Sequence, residues 1–303
     1  MKKIVIMLST YNGEKYLDEQ LNSLYYQNTS DFQMEVFTRD DGSKDLTTSI
    51  IKKWKKKINI NIINDNEKMG PAKSFWKLLN QAPIADYYAF MDQDDIWDKG
   101  KIKTAINAMS EEDVPTLWFS NCRIIDVEKR ILSNGYQTQS PILTIPSQLI
   151  CGSAQGCSMV FNRKAFEILK KNKIEEFPMH DLITMILILN SGRVIYEPQP
   201  YFSYRVHENN AVAKKGKSFF QKKKETYNNW FNEPHRNEIS MFAGELINHL
   251  DIKDSEVKDF LIDLSHCKNN FKSRLRIIKN KLTKSTNKRA LLAFKIKTLL
   301  GII

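Results

Sequence analysis

Metal-ligand spacing is missing from the cysteines: Cys122, Cys151, Cys157 and Cys267 form no CxxC pair, which argues for free thiols in a reducing cytosol. No uninterrupted apolar run reaches membrane-spanning length. Met1-Lys2-Lys3 leads into Ile4–Leu8, a stretch too short for a signal peptide and without a small-residue cleavage site after it, so it reads as a first strand. Neither GxGxxG nor a GxxxxGKS/T loop follows that strand, so the glycine phosphate cradles of dinucleotide enzymes and P-loop NTPases are excluded. Acid is missing from one end. From Cys267 to Ile303 there are eleven Lys/Arg and no Asp/Glu, against a net charge of +11 for the whole chain, so the remainder is close to neutral.

What is present is a globular composition: 303 residues, 42% hydrophobic and 27% charged, enough for one large domain and an appendage. Ile4–Leu8 has the continuous apolar character of a strand buried on both faces, and it stops at Ser9-Thr10-Tyr11-Asn12-Gly13. Leu17, Leu21, Leu24 and Tyr25 recur at helical spacing within Glu14–Gln27. Met34–Thr38 reads as a second strand, ending at Arg39-Asp40-Asp41-Gly42-Ser43. Asp45 can cap a helix through about Lys57, Ile58–Ile63 reads as a third strand, and Gly70-Pro71 opens another helix. Tyr87–Met91 is a fourth strand, followed at once by Asp92-Gln93-Asp94-Asp95.

Three carboxylates within four positions repel one another, so they need full solvation or a divalent ion. Mg²⁺ or Mn²⁺ held by one or two carboxylates keeps positions free for phosphate oxygens. The alternation of strands and amphipathic helices predicts an α/β fold with a doubly wound, mainly parallel sheet, whose ligands sit at the carboxyl ends of the strands. All three polar clusters follow a strand directly, so this fold gathers them at one edge.

Further on, Gly156-Cys157-Ser158-Met159-Val160-Phe161 reads as a strand entering a helix over Arg163–Lys171. Leu182–Leu189 is too apolar for a surface helix and reads as a buried one with His180 and Asp181 at its mouth. Val194–Tyr196 and Tyr201–Tyr204 are strand-like and lead to Arg205-Val206-His207-Glu208. Beyond Lys214 lysine-rich helical segments replace the alternation, which places a domain boundary there: 1–213, then a basic helical region over 214–303.

With these residues in view, the chain resembles the family-2 glycosyltransferases of the GT-A fold over about residues 1 to 213. Ser9–Gly13 looks like the opening nucleotide loop of that family, Arg39–Asp45 like its pyrimidine-binding loop and Asp92-Gln93-Asp94 like its metal-binding DxD. The resemblance places Thr10, Tyr11, Asn12, Glu14, Asp40, Asp41 and Asp92 around the nucleotide. Asp41 would accept from the ring N–H of the base, while Asp40 is either at the nucleotide or structural. Asp94, Asp95 and His207 would hold the metal, and Trp97, Gly156, Cys157, His180 and Arg205 would line the donor or acceptor sugar. Trp97 is otherwise core or pocket wall. Asp181 matches the catalytic base, which takes the proton of the attacking sugar hydroxyl; its other reading is a helix cap.

Gly156–Arg163, Met179–Asp181 and Tyr204–Val212 look most like bacterial rhamnosyltransferases of surface polysaccharide synthesis. Leu182 stands where an aromatic is usual, and Glu208 and Ala213 where glycines are common. The donor implied first is dTDP-rhamnose, and UDP-glucose or UDP-galactose second. A nucleotidyltransferase shares the strand-end carboxylates but needs a basic loop near the N-terminus, which Ser9–Gly13 lacks. A non-catalytic membrane-surface glycan assembly protein is the other alternative.

Phe271–Leu282 and Ala290–Ile303 mix basic and aliphatic residues in the manner of segments that lie on anionic membranes, or else form a solvated basic tail. The partners expected are a nucleotide-sugar donor, a lipid-linked or oligosaccharide acceptor and the inner face of the cytoplasmic membrane; a homo-oligomer stays open. Nucleic acid is not expected, since aromatic interleaving and recognition motifs are missing.

Overall fold

A computed structural model describes residues 1–27, 29–63, 65, 67–207 and 238–303. They form two compact units. The first holds Met1–Ser140, Ala154–Lys171 and Met179–Val206, and the second Pro141–Ser153, Asn172–Pro178 and His207–Ile303. The boundary expected at residue 214 lies outside the described residues, as do Glu208 and Ala213.

The first unit opens with β1 (Lys2–Thr10), α1 (Leu17–Tyr25), β2 (Phe32–Asp40), α2 (Thr47–Trp54), β3 (Ile60–Ile63), α3 (Gly70–Gln81) and β4 (Tyr87–Met91). β1 pairs in parallel with β2 on one side and with β4 on the other, and β3 extends the sheet beyond β2. It continues with β5 (Ile96–Trp97), α4 (Lys101–Ala108), β6 (Thr116–Ile125), β7 (Ile131–Ser133), a 3-10 turn at Gly156–Ser158, β8 (Met159–Asn162), α6 (Arg163–Lys171), α7 (His180–Ser191) and β9 (Arg193–Arg205). The sheet order is β3-β2-β1-β4-β8-β6-β9-β5, with β7 on β6. After β3 the chain crosses back to lay β4 beside β1, and a strand-order reversal of this kind opens a ligand crevice at the carboxyl ends.

Local chemistry explains these elements. Ile4–Leu8 are all fully buried, as a strand covered on both faces requires. α1 buries Leu17, Leu21 and Leu24 at helical spacing, each such leucine stabilising the fold by roughly 1.5–3 kcal/mol. Asp45 stands one residue outside the cap position of α2, yet its Oδ1 accepts from Thr47 N at 3.0 Å and serves the first turn. α7 is buried from Ile183 through Ile188, so its apolar character runs nearly all round. β9 is one strand where the sequence reads as two pieces. Pro198 and Pro200 interrupt the pattern, and register shifts around Asn121 of β6 absorb them.

The second unit includes α5 (Ile145–Ile150) and four further helices: α8 (Glu238–His249), α9 (Ser255–His266), α10 (Phe271–Lys279) and α11 (Lys288–Leu300). Asp254, Asn270 and Asn287 cap α9, α10 and α11 through side-chain oxygens, and Gly301 ends α11 at φ 69°, where glycine is favoured. Phe242, Leu246, Phe260, Leu264, Ile277 and Phe294 are buried here. No helix among the described residues is long and apolar enough to cross a membrane.

Candidate active site

The loops after β1 and β2 are tied together. Asp40 accepts from Thr10 Oγ1 at 2.8 Å, Ser43 N at 2.8 Å and Ser43 Oγ at 2.6 Å, which closes the turn that Gly42 makes at φ 86°. Asn12 donates its backbone N–H to Ser43 Oγ at 2.8 Å and accepts from Lys44 N at 2.9 Å, and Glu14 accepts from Leu46 N at 2.9 Å. Thr10, Asn12, Glu14 and Asp40 therefore hold the loops to each other. Tyr11 is 42% exposed, with Lys68 Nζ 4.2 Å from its ring centroid. Asp41 is buried and accepts from Arg39 Nη1 at 2.6 Å, Met69 N at 2.9 Å and Gly70 N at 2.9 Å. A carboxylate has about four acceptor positions, so roughly one remains for a ligand N–H.

Arg39, fully buried, also donates to Ser74 Oγ at 2.9 Å and grips Asp65. The guanidinium holds the Asp65 carboxyl down at about 2. The sequence pattern shows Arg39 only as the neighbour of two aspartates, and its role as the pocket's anchor depends on segments distant in sequence.

After β4 the acidic loop turns under the first loop. Gln93 accepts from Tyr11 N at 2.9 Å and donates from Nε2 to Tyr11 O at 2.9 Å. A Cβ on Gly13 would stand 2.2 Å from Gln93 Oε1, so a larger residue there pushes the Gln93 amide off its bonds to Tyr11. Asp95 is 1% exposed; its Oδ1 accepts from Arg205 N at 3.1 Å, and its Oδ2 is a buried oxygen without a hydrogen-bond partner. One ligand atom each from Asp92, Asp95 and Cys157 lies within 4.8 Å of the others. Burial, with Asp94 adding like charge, pushes the Asp92 carboxyl up to about 7 and Asp95 well above its usual range. A partnerless buried oxygen among carboxylates that resist ionisation fits a divalent cation. Of the ligands expected from the sequence, Asp95 belongs to this cluster, and His207 falls in the second unit.

Cys157 reaches the edge because β8 runs antiparallel to both β4 and β6, which brings its beginning to the carboxyl ends of its neighbours. Its thiol is fully buried and raised well above the usual range. Gly156, in the same turn, packs against His180, where a Cβ would stand 2.3 Å from Nε2, and the Asp181 carboxylate accepts from Leu182 N at 2.7 Å. Burial is nonetheless stronger and raises Asp181 to about 6. His180 stacks on Phe75 at 4.1 Å and meets Phe90 edge-on at 4.9 Å; neither ring nitrogen is hydrogen-bonded, and burial lowers it to about 3, so it stays neutral.

Trp97 is 3% exposed and packs in the core. The Arg205 guanidinium lies over Tyr16 at 4.6 Å and donates to Asp94 O at 2.9 Å and to the Glu19 carboxylate, anchoring the acidic loop from the protein side. Lys101, which has no distinctive signal in the sequence, is fully buried. Its ammonium donates to Cys157 O and lies 3.4 Å from the Trp97 ring centroid.

The model of glycosyl transferase family 2 matches residues 5–169, more than half of the chain, in agreement with the resemblance read from the strand-end loops. The chain is 29% identical over 218 residues to dTDP-rhamnosyl transferase RfbG of Shigella flexneri, a match covering 68% of this chain and 73% of that one. It is 25% identical over 219 residues to the GalNAc(5)-diNAcBac-PP-undecaprenol beta-1,3-glucosyltransferase of Campylobacter jejuni, covering 70% of this chain and 68% of that one. The fold is similar to that of Staphylococcus aureus TarS 1–349 solved with UDP-GlcNAc, with a TM-score of 0.62 at 20% identity over 99% of this chain and 89% of that one.

Proposed function

We propose that this chain, which belongs to glycosyl transferase family 2, moves L-rhamnose from dTDP-rhamnose to a lipid-linked or oligosaccharide acceptor in bacterial polysaccharide synthesis, inverting the anomeric centre. The observation that carries the reading is Asp181: a carboxylate that accepts from Leu182 N–H at the start of α7 and is raised to about 6, close enough to the acidic cluster to act on Asp92. That value suits a general base near neutral pH. Asp41 offers its remaining acceptor position to the N–H of the pyrimidine, and the exposed Tyr11 ring provides a face for it. Asp181 takes the proton of the acceptor hydroxyl as that oxygen attacks the anomeric carbon from the side opposite the diphosphate. Asp92 and Asp95 would hold Mg²⁺ or Mn²⁺, which supplies charge neutralisation for the departing diphosphate. No covalent enzyme intermediate is needed.

The choice of rhamnose is supported by the RfbG match, and that of a lipid-linked acceptor by the Campylobacter match. The fold shared with a UDP-GlcNAc complex favours a UDP-sugar as the second donor. The test is transfer from a panel of nucleotide-sugars to undecaprenyl-diphosphate-linked acceptors. Transfer from dTDP-rhamnose well above UDP-glucose and UDP-galactose is expected; preference for a UDP-sugar overturns the donor. Binding of nucleotide-sugar with neither transfer nor hydrolysis supports the glycan assembly reading instead.

The second unit supplies a membrane face by the same proposal. Leu292, Ile296, Leu299 and Leu300 of α11 lie at helical spacing and are all exposed, in the stretch that carries eleven basic residues and no acidic one. Apolar insertion flanked by lysines suits anionic lipid, at about 1 kcal/mol per basic residue near the surface. Flotation with phosphatidylglycerol vesicles, and not with phosphatidylcholine vesicles, is expected for the full chain. Flotation unchanged by L292E/I296E sinks this face.

A further inference from the structure

Lys101 is the first residue of α4, and none of its surface reaches solvent. Burying an ammonium is costly, and an aliphatic side chain would fill the same volume without that cost. Its surroundings offset the cost from two directions. The ammonium donates to the carbonyl of Cys157 and sits over the faces of Trp97 at 3.4 Å and Phe202 at 5.2 Å. Burial lowers the ammonium to about 7, and the neighbouring Asp95 and Asp92 carboxyls work against that shift. The carbonyl that it holds belongs to the turn Gly156–Ser158, whose Gly156 packs against His180, the neighbour of Asp181, and whose Cys157 thiol lies with Asp92 and Asp95. One side chain therefore holds the turn that meets the acidic cluster on one side and the proposed base on the other.

We infer that Lys101 is a positioning residue that couples the two halves of the site: by fixing the Cys157 carbonyl, it sets where the turn that packs on His180 holds the neighbouring Asp181. The inference rests on the glycosyl-transfer reading and names a residue that acts through Asp181 without touching substrate. The residues around the nucleotide, Thr10 to Glu14 and Asp40 to Asp41, have their own hydrogen-bond network, which does not pass through Lys101.

The test is a double-mutant cycle on transfer turnover with K101M, D181N and the pair. K101M lowers kcat roughly 30-fold, within the span of general-base contributions, while the dTDP dissociation constant read by calorimetry moves less than about threefold. In the D181N background, K101M changes the residual rate by less than about threefold, because the residue it positions is no longer a base. Should K101M not fold, K101Q, whose amide can still donate, is run through the same cycle. Costs that multiply, or a dTDP affinity that falls in step with kcat, overturn the inference while leaving the transferase reading intact. Absence of transfer from any nucleotide-sugar by the wild-type chain overturns both together.

Discussion

The acidic pairs at the end of β2 and after β4, on either side of β1, are in opposite physical states. Asp40 and Asp41 each accept three hydrogen bonds within the protein, from Thr10 and Ser43 in one case and from Arg39, Met69 and Gly70 in the other. Asp92 and Asp95 are not settled in this way: burial raises Asp92 to about 7, and Asp95 keeps a buried oxygen without a partner. The same residue type therefore builds a rigid slot in one loop and leaves an unmet demand for positive charge in the next. The difference lies in what surrounds each pair. The first sits against Arg39 and the N-terminus of α3, and the second against each other's charge, the Cys157 thiol and Lys101.

The largest expected effect separates chemistry from both pairs: D181N lowers transfer kcat by about 10²–10⁴-fold with nucleotide affinity preserved, as measured by steady-state rates beside calorimetry. Next comes a direct contrast. D41N removes one partner of a buried ion pair with Arg39 and costs about 3–5 kcal/mol in chemical denaturation. D95N costs much less and instead abolishes Mn²⁺ binding read by electron paramagnetic resonance. If D95N destabilises as much as D41N with Mn²⁺ binding retained, the two loops are not different in kind.

Titration sharpens the contrast further. Asp181 must be ionised to accept a proton, so transfer falls about tenfold per pH unit below about 6 and levels off above it. Asp92 must be ionised to bind a cation, so Mn²⁺ affinity weakens as pH drops below about 7. A rate profile flat from pH 5 to 8 would exclude Asp181 as the base. The smallest effect is G156A. A Cβ there would lie 2.3 Å from His180 Nε2, so overpacking costs about 1–3 kcal/mol in thermal unfolding and displaces the ring beside Asp181.

Much of the first unit was legible from periodicity alone. Tyr87–Met91 and Arg163–Lys171 have the bounds that the pattern predicts, because their apolar residues and neighbouring polar clusters leave little freedom. The three strand-end loops were legible as well, since turn chemistry and clustered carboxylates are local signals. Arg39 and Lys101 were not. Each is an ordinary basic residue in the sequence, and its meaning comes from partners 26 and 56 positions away, Asp65 and Cys157. The sequence likewise gave no sign that Pro141–Ser153 and Asn172–Pro178 belong to the second unit, because membership depends on contacts distant along the chain.

The alternation of strands and helices, the acidic loops at strand ends and the helical, basic character of the final stretch were written locally, because each depends on residues within a few positions of one another. The tertiary structure decided which carboxylates are satisfied and which are short of charge. It reversed β8, so that Cys157 and Gly156 meet the acidic loop and Asp181 at one edge, and it buried Lys101 beneath them. Hydrogen-bond satisfaction and burial are properties of the assembled surroundings, and it is these that distinguish a structural aspartate from a reactive one.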